Sequence, residues 1–209
     1  MIFAAKEKKN LDKDQNNNEN NHENKNILAT VGMFFLELVK VAFLAGITVG
    51  LVRYFIFKPF YVEGQSMEPT YLGSEYLIID EISYRFREPE RGEVIVLRAP
   101  TVEKEYFLKR IIGLPGDHIC VENNKVIISN SQRPDRVLLE EKYLVEPTPG
   151  SANYTLGLDE YFVMGDNRDA SFDSRRFGPI KRNGIIGRTW FRGWPLNRIT
   201  LFEPPVYNL

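Results

Sequence analysis

The sequence is poor in the residues on which several common chemistries depend. Its 209 residues include one cysteine, Cys120, and two histidines, His22 and His118. A single cysteine excludes an internal disulfide and argues against a cysteine-based metal site. Neither histidine is well placed in the sequence to activate a nucleophile, so a reactive serine would need a base of another kind.

Excess charge of either sign is also missing. There are 27 basic and 28 acidic residues, and the net charge is −1. A nucleic-acid-binding chain usually carries a clear excess of positive charge, so we expect no nucleic acid partner. No metal-binding or cofactor-binding motif is present, and we expect neither a metal nor a cofactor.

The N-terminal part changes abruptly from polar to apolar. Residues 1–26 are rich in asparagine and have too few apolar side chains to offset the entropy of ordering, which predicts a disordered tail. Residues 27–58 follow as a predicted membrane anchor. The 31 residues 27–57 would span roughly 46 Å as a helix, more than the roughly 30 Å hydrocarbon core, and residues 41–57 fit the span best.

Two alternatives to a membrane anchor are weaker. A cleaved secretory signal is disfavoured because the run is long and no small-x-small site follows it, and the length disfavours a soluble core helix. Lysines before the run favour a cytoplasmic N-terminus, with the rest of the chain on the opposite side of the membrane. These lysines are Lys6, Lys8, Lys9, Lys13 and Lys25.

Residues 59–209 form the predicted main domain. Short β-branched or aromatic runs are separated by glycine, proline and asparagine, and no helical period of useful length appears, so the fold class is mainly β. Asn123 and Asn124 predict a hairpin turn. Residues 132–154 are weakly patterned and predict an irregular excursion from the main sheet.

Three stretches are dense in polar and turn residues: 64–70, 106–117 and 165–175. We expect them to converge on one site. Ser66, in the first, is a candidate nucleophile on a tight turn, although most serines in turns are only turn residues. It does not fit the Gly-x-Ser-x-Gly elbow, because Glu68 stands where that motif needs glycine.

Lys109, in the second stretch, is the candidate base. Such a lysine must be neutral for part of the time, and lowering its pKa from about 10.4 to roughly 8 costs about 3 kcal/mol. Burial in the apolar strand around it, helped by the charge of Arg110, can produce a shift of this size. The alternative is a strand lysine with its ammonium in water.

The third stretch holds many hydrogen-bonding groups in few positions. Asp173 and Arg175 could form a fixed ion pair that supports the site, and Ser171 could orient the lysine amine. A solvated turn with surface ion pairs explains the same residues about equally well. The polar residues are Asp166, Asn167, Arg168, Ser171, Asp173, Ser174 and Arg175.

Together the three stretches resemble the bacterial type I signal peptidases in motif order and spacing, and residues 91–96 match a fourth, structural stretch of that family. The resemblance implies a membrane-anchored serine endopeptidase that removes signal peptides from exported preproteins. Ser66 would attack the scissile carbonyl, Lys109 would be the general base and Ser171 would position its amine. Asp173 would pair with Arg175, while Asp166 and Arg168 would be structural.

The resemblance also implies the fold and the substrate pockets. It predicts a barrel-like β domain over 59–209 with a protruding β excursion at 118–155, and cleavage after small-x-small sites such as Ala-x-Ala. The implied substrate-binding residues are Phe60, Val62, Gly64, Met67, Leu77, Phe107 and Leu108. Some members carry a serine at the position of Gly64 whose hydroxyl binds the oxyanion, so here the Ser66 N–H would need another donor.

The implied partners are preprotein signal peptides and the lipid bilayer of a plasma membrane, or of a thylakoid where the cell has one. Trp190, Phe191, Trp194 and Phe202 fit either core aromatics or an apolar rim in the bilayer interface. Two other functions remain open. Self-cleaving Ser/Lys repressor proteases share such a dyad but carry DNA-binding domains, and a membrane-tethered binding module would be catalytically inactive.

Overall fold

The structure is a computed structural model that describes residues 31–50, 57–102 and 104–208, without the side chains of Phe57 and Lys58. The chain divides into two compact units, one up to Val52 and one from Arg53. The predicted disordered tail and its lysines lie outside the described residues.

A helix, α1, covers Val31–Gly50 in the first unit. Its 20 residues are long and apolar enough to cross a membrane, and its side chains are exposed. The predicted span, residues 41–57, begins ten residues after the start of this helix and extends beyond it into residues outside the description. The helix also contains Glu37 and Lys40, one turn apart on one face, where they can pair.

The second unit is built from short strands, as the alternation of β-branched residues and turns predicts. In chain order they are β1 Phe57–Tyr61, β2 Tyr76–Asp80, β3 Val94–Arg98, β4 Tyr106–Gly113, β5 His118–Glu122, β6 Lys125–Ser129, β7 Val137–Leu138, β8 Ala152–Thr155, β9 Glu160–Met164, β10 Ile180–Lys181, β11 Ile185–Trp194 and β12 Thr200–Leu201. One short helix, α2 Ser174–Phe177, precedes β10.

The strands form two antiparallel sheets. The larger sheet has the order β1-β2-β11-β3-β4-β9-β10, with β12 beside β11, and the smaller has the order β7-β6-β5-β8. The mainly β class is therefore confirmed. Within the described residues the large sheet runs as one open path from β1 to β10, so hydrogen bonds do not close the predicted barrel.

Strand β4 is paired differently along its two halves. Its whole length up to Arg110 pairs with β3, but its other edge pairs with β9 only from Arg110 onward. Among the described strands, β1 pairs with β2 alone. The outer edge of β1 and one edge of residues 106–109 thus remain without a neighbouring strand in the described structure.

The smaller sheet carries the predicted hairpin. Asn123 and Asn124 have φ values of 50° and 62° and connect β5 to β6, which confirms the turn. The segment 132–154 is less irregular than expected, since it contains β7 and most of β8. Because these strands have two and four residues, they leave almost no periodic signal in the sequence.

Apolar cores lie on both faces of β4. Leu108 packs in one core with Val62, Met67 and Leu77, whereas Phe107 packs against another. Neighbouring residues of a strand point to opposite faces, and these contacts follow that rule. The two faces of β4 next to Lys109 therefore have different surroundings.

Candidate active site

The turn that carries Ser66 continues directly from β1. The Val62 N–H donates to the Glu75 carbonyl at 2.9 Å, which extends the pairing with the β2 side of the chain. Gly64 has φ +83°, a conformation that suits glycine, and the buried Met67 side chain anchors the turn in the core. The half-buried Ser66 is held between these two points.

The Lys109 amine reaches Ser66 from β4. Its Nζ donates to Ser66 Oγ at 2.8 Å, and the Lys109 residue is only 3% exposed. Burial lowers the Lys109 pKa from 10.5 to about 8, against the opposing effect of the Asp173 and Asp166 carboxylates. A substantial fraction of this amine is therefore neutral at mildly alkaline pH.

Arg110 does not help this shift, contrary to the expectation from the sequence. Its guanidinium makes a two-point pair with Asp166, at 2.8 Å and 2.6 Å, and lies 4.1 Å from the centre of the Tyr143 ring. Its charge is matched by a carboxylate on the far side of the strand from Lys109. The lowered lysine pKa therefore comes from burial.

Asp173 and Arg175 form the pair that was predicted for the third stretch. Arg175 Nε and Nη2 donate to the two Asp173 carboxylate oxygens at 2.9 Å and 2.8 Å. The Gly165 N–H donates to the same carboxylate at 3.1 Å. Although burial raises the pKa of Asp173, these bonds hold it below its usual value, so the carboxylate stays charged beside the lysine.

Gly165 lies where the loop 165–175 meets the nucleophile turn. A Cβ at this position would collide with the Ser66 carbonyl oxygen and the Ser171 Oγ. The Asn167 N–H donates to the same Ser66 carbonyl at 3.1 Å. Only glycine permits this approach, and the loop thereby fixes the backbone of Ser66.

Ser171 is 3% exposed, and its Oγ has no hydrogen-bond partner in the described part of the chain. Among the described residues it makes no hydrogen bond to Lys109. Its expected role in orienting the amine stays a prediction.

Arg168 holds the loop to the segment that follows β7. It is 1% exposed and forms an ion pair with both oxygens of Glu141. It also donates to Thr148 and to the Gly165 carbonyl, and contacts the Tyr143 hydroxyl. We call Arg168, Glu141, Tyr143 and Thr148 the Arg168 cluster. The sequence around Glu141 gives no sign of this role, since the residue resembles an ordinary solvent-exposed acid.

A cavity of about 420 Å³ opens in front of Ser66 and Lys109. Six of the seven predicted substrate-binding residues line it: Phe60, Val62, Gly64, Met67, Phe107 and Leu108. Leu77 is fully buried in the core beneath and does not line it. Four lining residues were not predicted: Tyr61, Glu63, Glu105 and Tyr106.

Within the described part of the chain no group of three or more acidic, histidine or cysteine residues could hold a metal ion.

Known proteins are similar to this chain over a range that includes most of helix α1 and the whole candidate site. The profile of the family described as signal peptidase, peptidase S26, matches residues 35–194. A probable signal peptidase I-2 from Synechocystis sp. is 37% identical over 177 residues, which are 80% of this chain and 77% of that protein.

Two further relatives widen the range of organisms. Signal peptidase I P from Bacillus subtilis subsp. natto is 34% identical over 78% of this chain and 91% of that protein. Thylakoidal processing peptidase 1 of Arabidopsis thaliana, a chloroplast protein, is 33% identical over 78% of this chain and 50% of that protein.

Proposed function

The chain belongs to the signal peptidase family, peptidase S26, and we propose that Ser66 and Lys109 perform its cleavage of signal peptides from preproteins. One observation carries this assignment: the buried Lys109 amine donates to the Ser66 hydroxyl at 2.8 Å. A lysine with a pKa of about 8 in this position can accept the hydroxyl proton without a histidine.

In the first half of the reaction Ser66 Oγ attacks the scissile carbonyl carbon and its proton passes to Lys109 Nζ. The C–N bond then breaks, the protonated lysine gives its proton to the leaving amine of the mature protein, and an ester to Ser66 remains. In the second half a water gives a proton to Lys109 and attacks the ester. The signal peptide leaves with a new carboxylate, and Ser66 regains its proton.

The Ser66 N–H is our candidate donor to the oxyanion that forms during attack. Gly64 brings no hydroxyl to this point. A Cβ there would meet no atom within 4 Å, but φ +83° would strain any other residue. The backbone conformation of the turn therefore explains why residue 64 is a glycine.

The two open strand edges support binding of the substrate as an extended strand. The outer edge of β1 and the unpaired edge of residues 106–109 flank the cavity, so a peptide between them could pair with both. Val62, Met67 and Leu108 give the cavity an apolar wall. Substrate positions are counted back from the cut, so that −1 is the last residue of the signal peptide. Small side chains at positions −1 and −3 fit this wall, which favours cleavage after Ala-x-Ala.

We infer that α1 anchors the chain in a membrane with the N-terminus in the cytoplasm and the β domain on the other side. The membrane is the plasma membrane, or a thylakoid where one exists. Trp190 and Trp194 are 36% and 51% exposed on the β domain, which supports contact with the bilayer interface.

Cleavage of a purified preprotein by the detergent-solubilised full chain tests the proposal. Ser66→Ala and Lys109→Ala should each reduce cleavage by at least a thousandfold. Ser131→Ala and Lys125→Ala change exposed residues of the same types and should have no effect. Sequencing the new N-terminus should place the cut after small-x-small.

Full activity of Lys109→Ala would remove this lysine from the mechanism. No turnover by the unmodified chain would favour a binding module, and cleavage of its own chain alone would favour the repressor-type activity.

A further inference from the structure

Two carboxylates line the cavity, one from the β1 side and one from the β4 side. Glu63 follows β1 and Glu105 precedes β4, and both are exposed. Within the described residues neither side chain forms an ion pair or a hydrogen bond. The other charged residue of the lining, Lys109, is buried and bonded to Ser66. The charge that a substrate meets at the cavity surface is therefore negative.

The alternation of side chains places these carboxylates away from the apolar wall. Val62 is buried in the same core as Leu108, whereas its neighbours Tyr61 and Glu63 are exposed. Glu105, directly before β4, is two positions from Phe107, and alternation places it on the same side as Phe107, which packs against the other core. A substrate strand that turns its −1 and −3 side chains to the apolar wall presents −2 and −4 on the opposite side.

We propose that Glu63 and Glu105 are specificity-determining residues that select preproteins with lysine or arginine at −2 and −4 and disfavour acidic residues there. This inference rests on the proposed function. Glu63, three residues before Ser66, is assigned to −2. Glu105 lies four residues before Lys109, roughly 13 Å along an extended strand, and is assigned to −4.

The effect should be moderate, since both carboxylates are in contact with water. Attraction between exposed opposite charges is weak and is screened by salt. We expect a peptide with lysine at −2 to be cut about three- to tenfold faster, in kcat/KM, than the same peptide with glutamate there. The peptide with glutamine should fall between them, and the spread should shrink as salt rises from about 50 mM to 500 mM.

The test uses the full chain in detergent and quenched-fluorescence peptides of one Ala-x-Ala sequence, with lysine, glutamine or glutamate at −2 or at −4. The ratio of kcat/KM between lysine and glutamate peptides is measured for each variant. Glu63→Gln should reduce the ratio at −2 alone and Glu63→Lys should invert it. Glu105→Gln and Glu105→Lys should do the same at −4.

The matched control is Glu146→Gln, which removes the same charge from an exposed residue that does not line the cavity and should leave both ratios unchanged. Equal rates for lysine and glutamate peptides, or ratios that persist in the Glu63 and Glu105 variants, would overturn the inference while cleavage of the glutamine peptide upholds the proposed function. Failure to cut even the glutamine peptide would overturn both.

Discussion

At the scale of single residues, the protonation state of Lys109 controls whether Ser66 can be activated. With a pKa of about 8, roughly one amine in ten is neutral at pH 7 and most are neutral at pH 9. We expect kcat/KM to rise nearly tenfold from pH 6 to 7 and to level off above pH 8.5, measured with a peptide that has no ionisable group in this range. A flat profile between pH 6 and 9 would contradict Lys109 as the base.

The same buried amine should lower the stability of the folded chain. Its pKa is about 8 when folded and near 10.5 when unfolded, so the unfolded state binds more protons between these values. The buried lysine therefore destabilises the folded chain fully below pH 8, and this cost disappears as the pH rises from 8 to 10.5. The cost at pH 7 is about 3 kcal/mol, before the bond to Ser66 offsets part of it.

Lys109→Met should therefore be inactive yet melt at a higher temperature than the unmodified chain at pH 7. The difference in melting temperature should shrink as pH approaches 10.5, because the lysine is then neutral in both states. Thermal unfolding in detergent at pH 7, 8.5 and 10 measures it. A variant that is less stable at every pH would show that Lys109 stabilises the fold.

Single residues also show the limits of prediction from sequence. The neighbourhood of Ser66 and Lys109 followed from family motifs, because a motif fixes which strands and turns carry it. The partner of Arg110 did not follow, because Asp166 is 56 residues away and pairs only once β4 lies beside β9. Because Arg110 is next to Lys109 in the sequence, its charge was expected to lower the lysine pKa, and this expectation was wrong.

At the scale of elements, the Arg168 cluster ties the loop of the site to the segment after β7. Glu141→Gln leaves a buried guanidinium without its counter-charge and should cost about 3 kcal/mol in the free energy of unfolding, with a loss of activity. Glu122→Gln is the control, since its pair with Arg136 is largely exposed and should change stability by less than about 1 kcal/mol. Urea unfolding compares them; equal costs would contradict the role of the cluster.

The elements themselves were predictable to different degrees. The turn at Asn123 and Asn124 is visible in the sequence because both residues tolerate positive φ, which such a hairpin requires. Segment 132–154 gave no comparable signal. The structure of this segment depends on contacts of Glu141 and Thr148 with Arg168, which is at least 20 positions away. These hydrogen bonds are therefore not local in sequence.

At the scale of the whole molecule, the proposed orientation can be tested with cysteine labelling, because the one natural cysteine, Cys120, is buried. Val145→Cys, at a position 76% exposed on the β domain, should react with a membrane-impermeant maleimide in intact cells. Asn17→Cys, before the apolar helix, should react only after permeabilisation. The reverse pattern would invert the orientation.

Residues 106–109 of β4 pair with a neighbouring strand along one edge only, so hydrogen exchange can distinguish the empty enzyme from the occupied one. Backbone amides along the bare edge of residues 106–109 should take up deuterium until a peptide covers them, whereas the stretch after Arg110 already lies between two strands. Slower uptake along that edge and along the outer edge of β1, in Ser66→Ala mixed with a signal peptide, would reveal occupancy without any turnover. An inactive variant could thus serve to rank natural ligands by how firmly they complete the sheet.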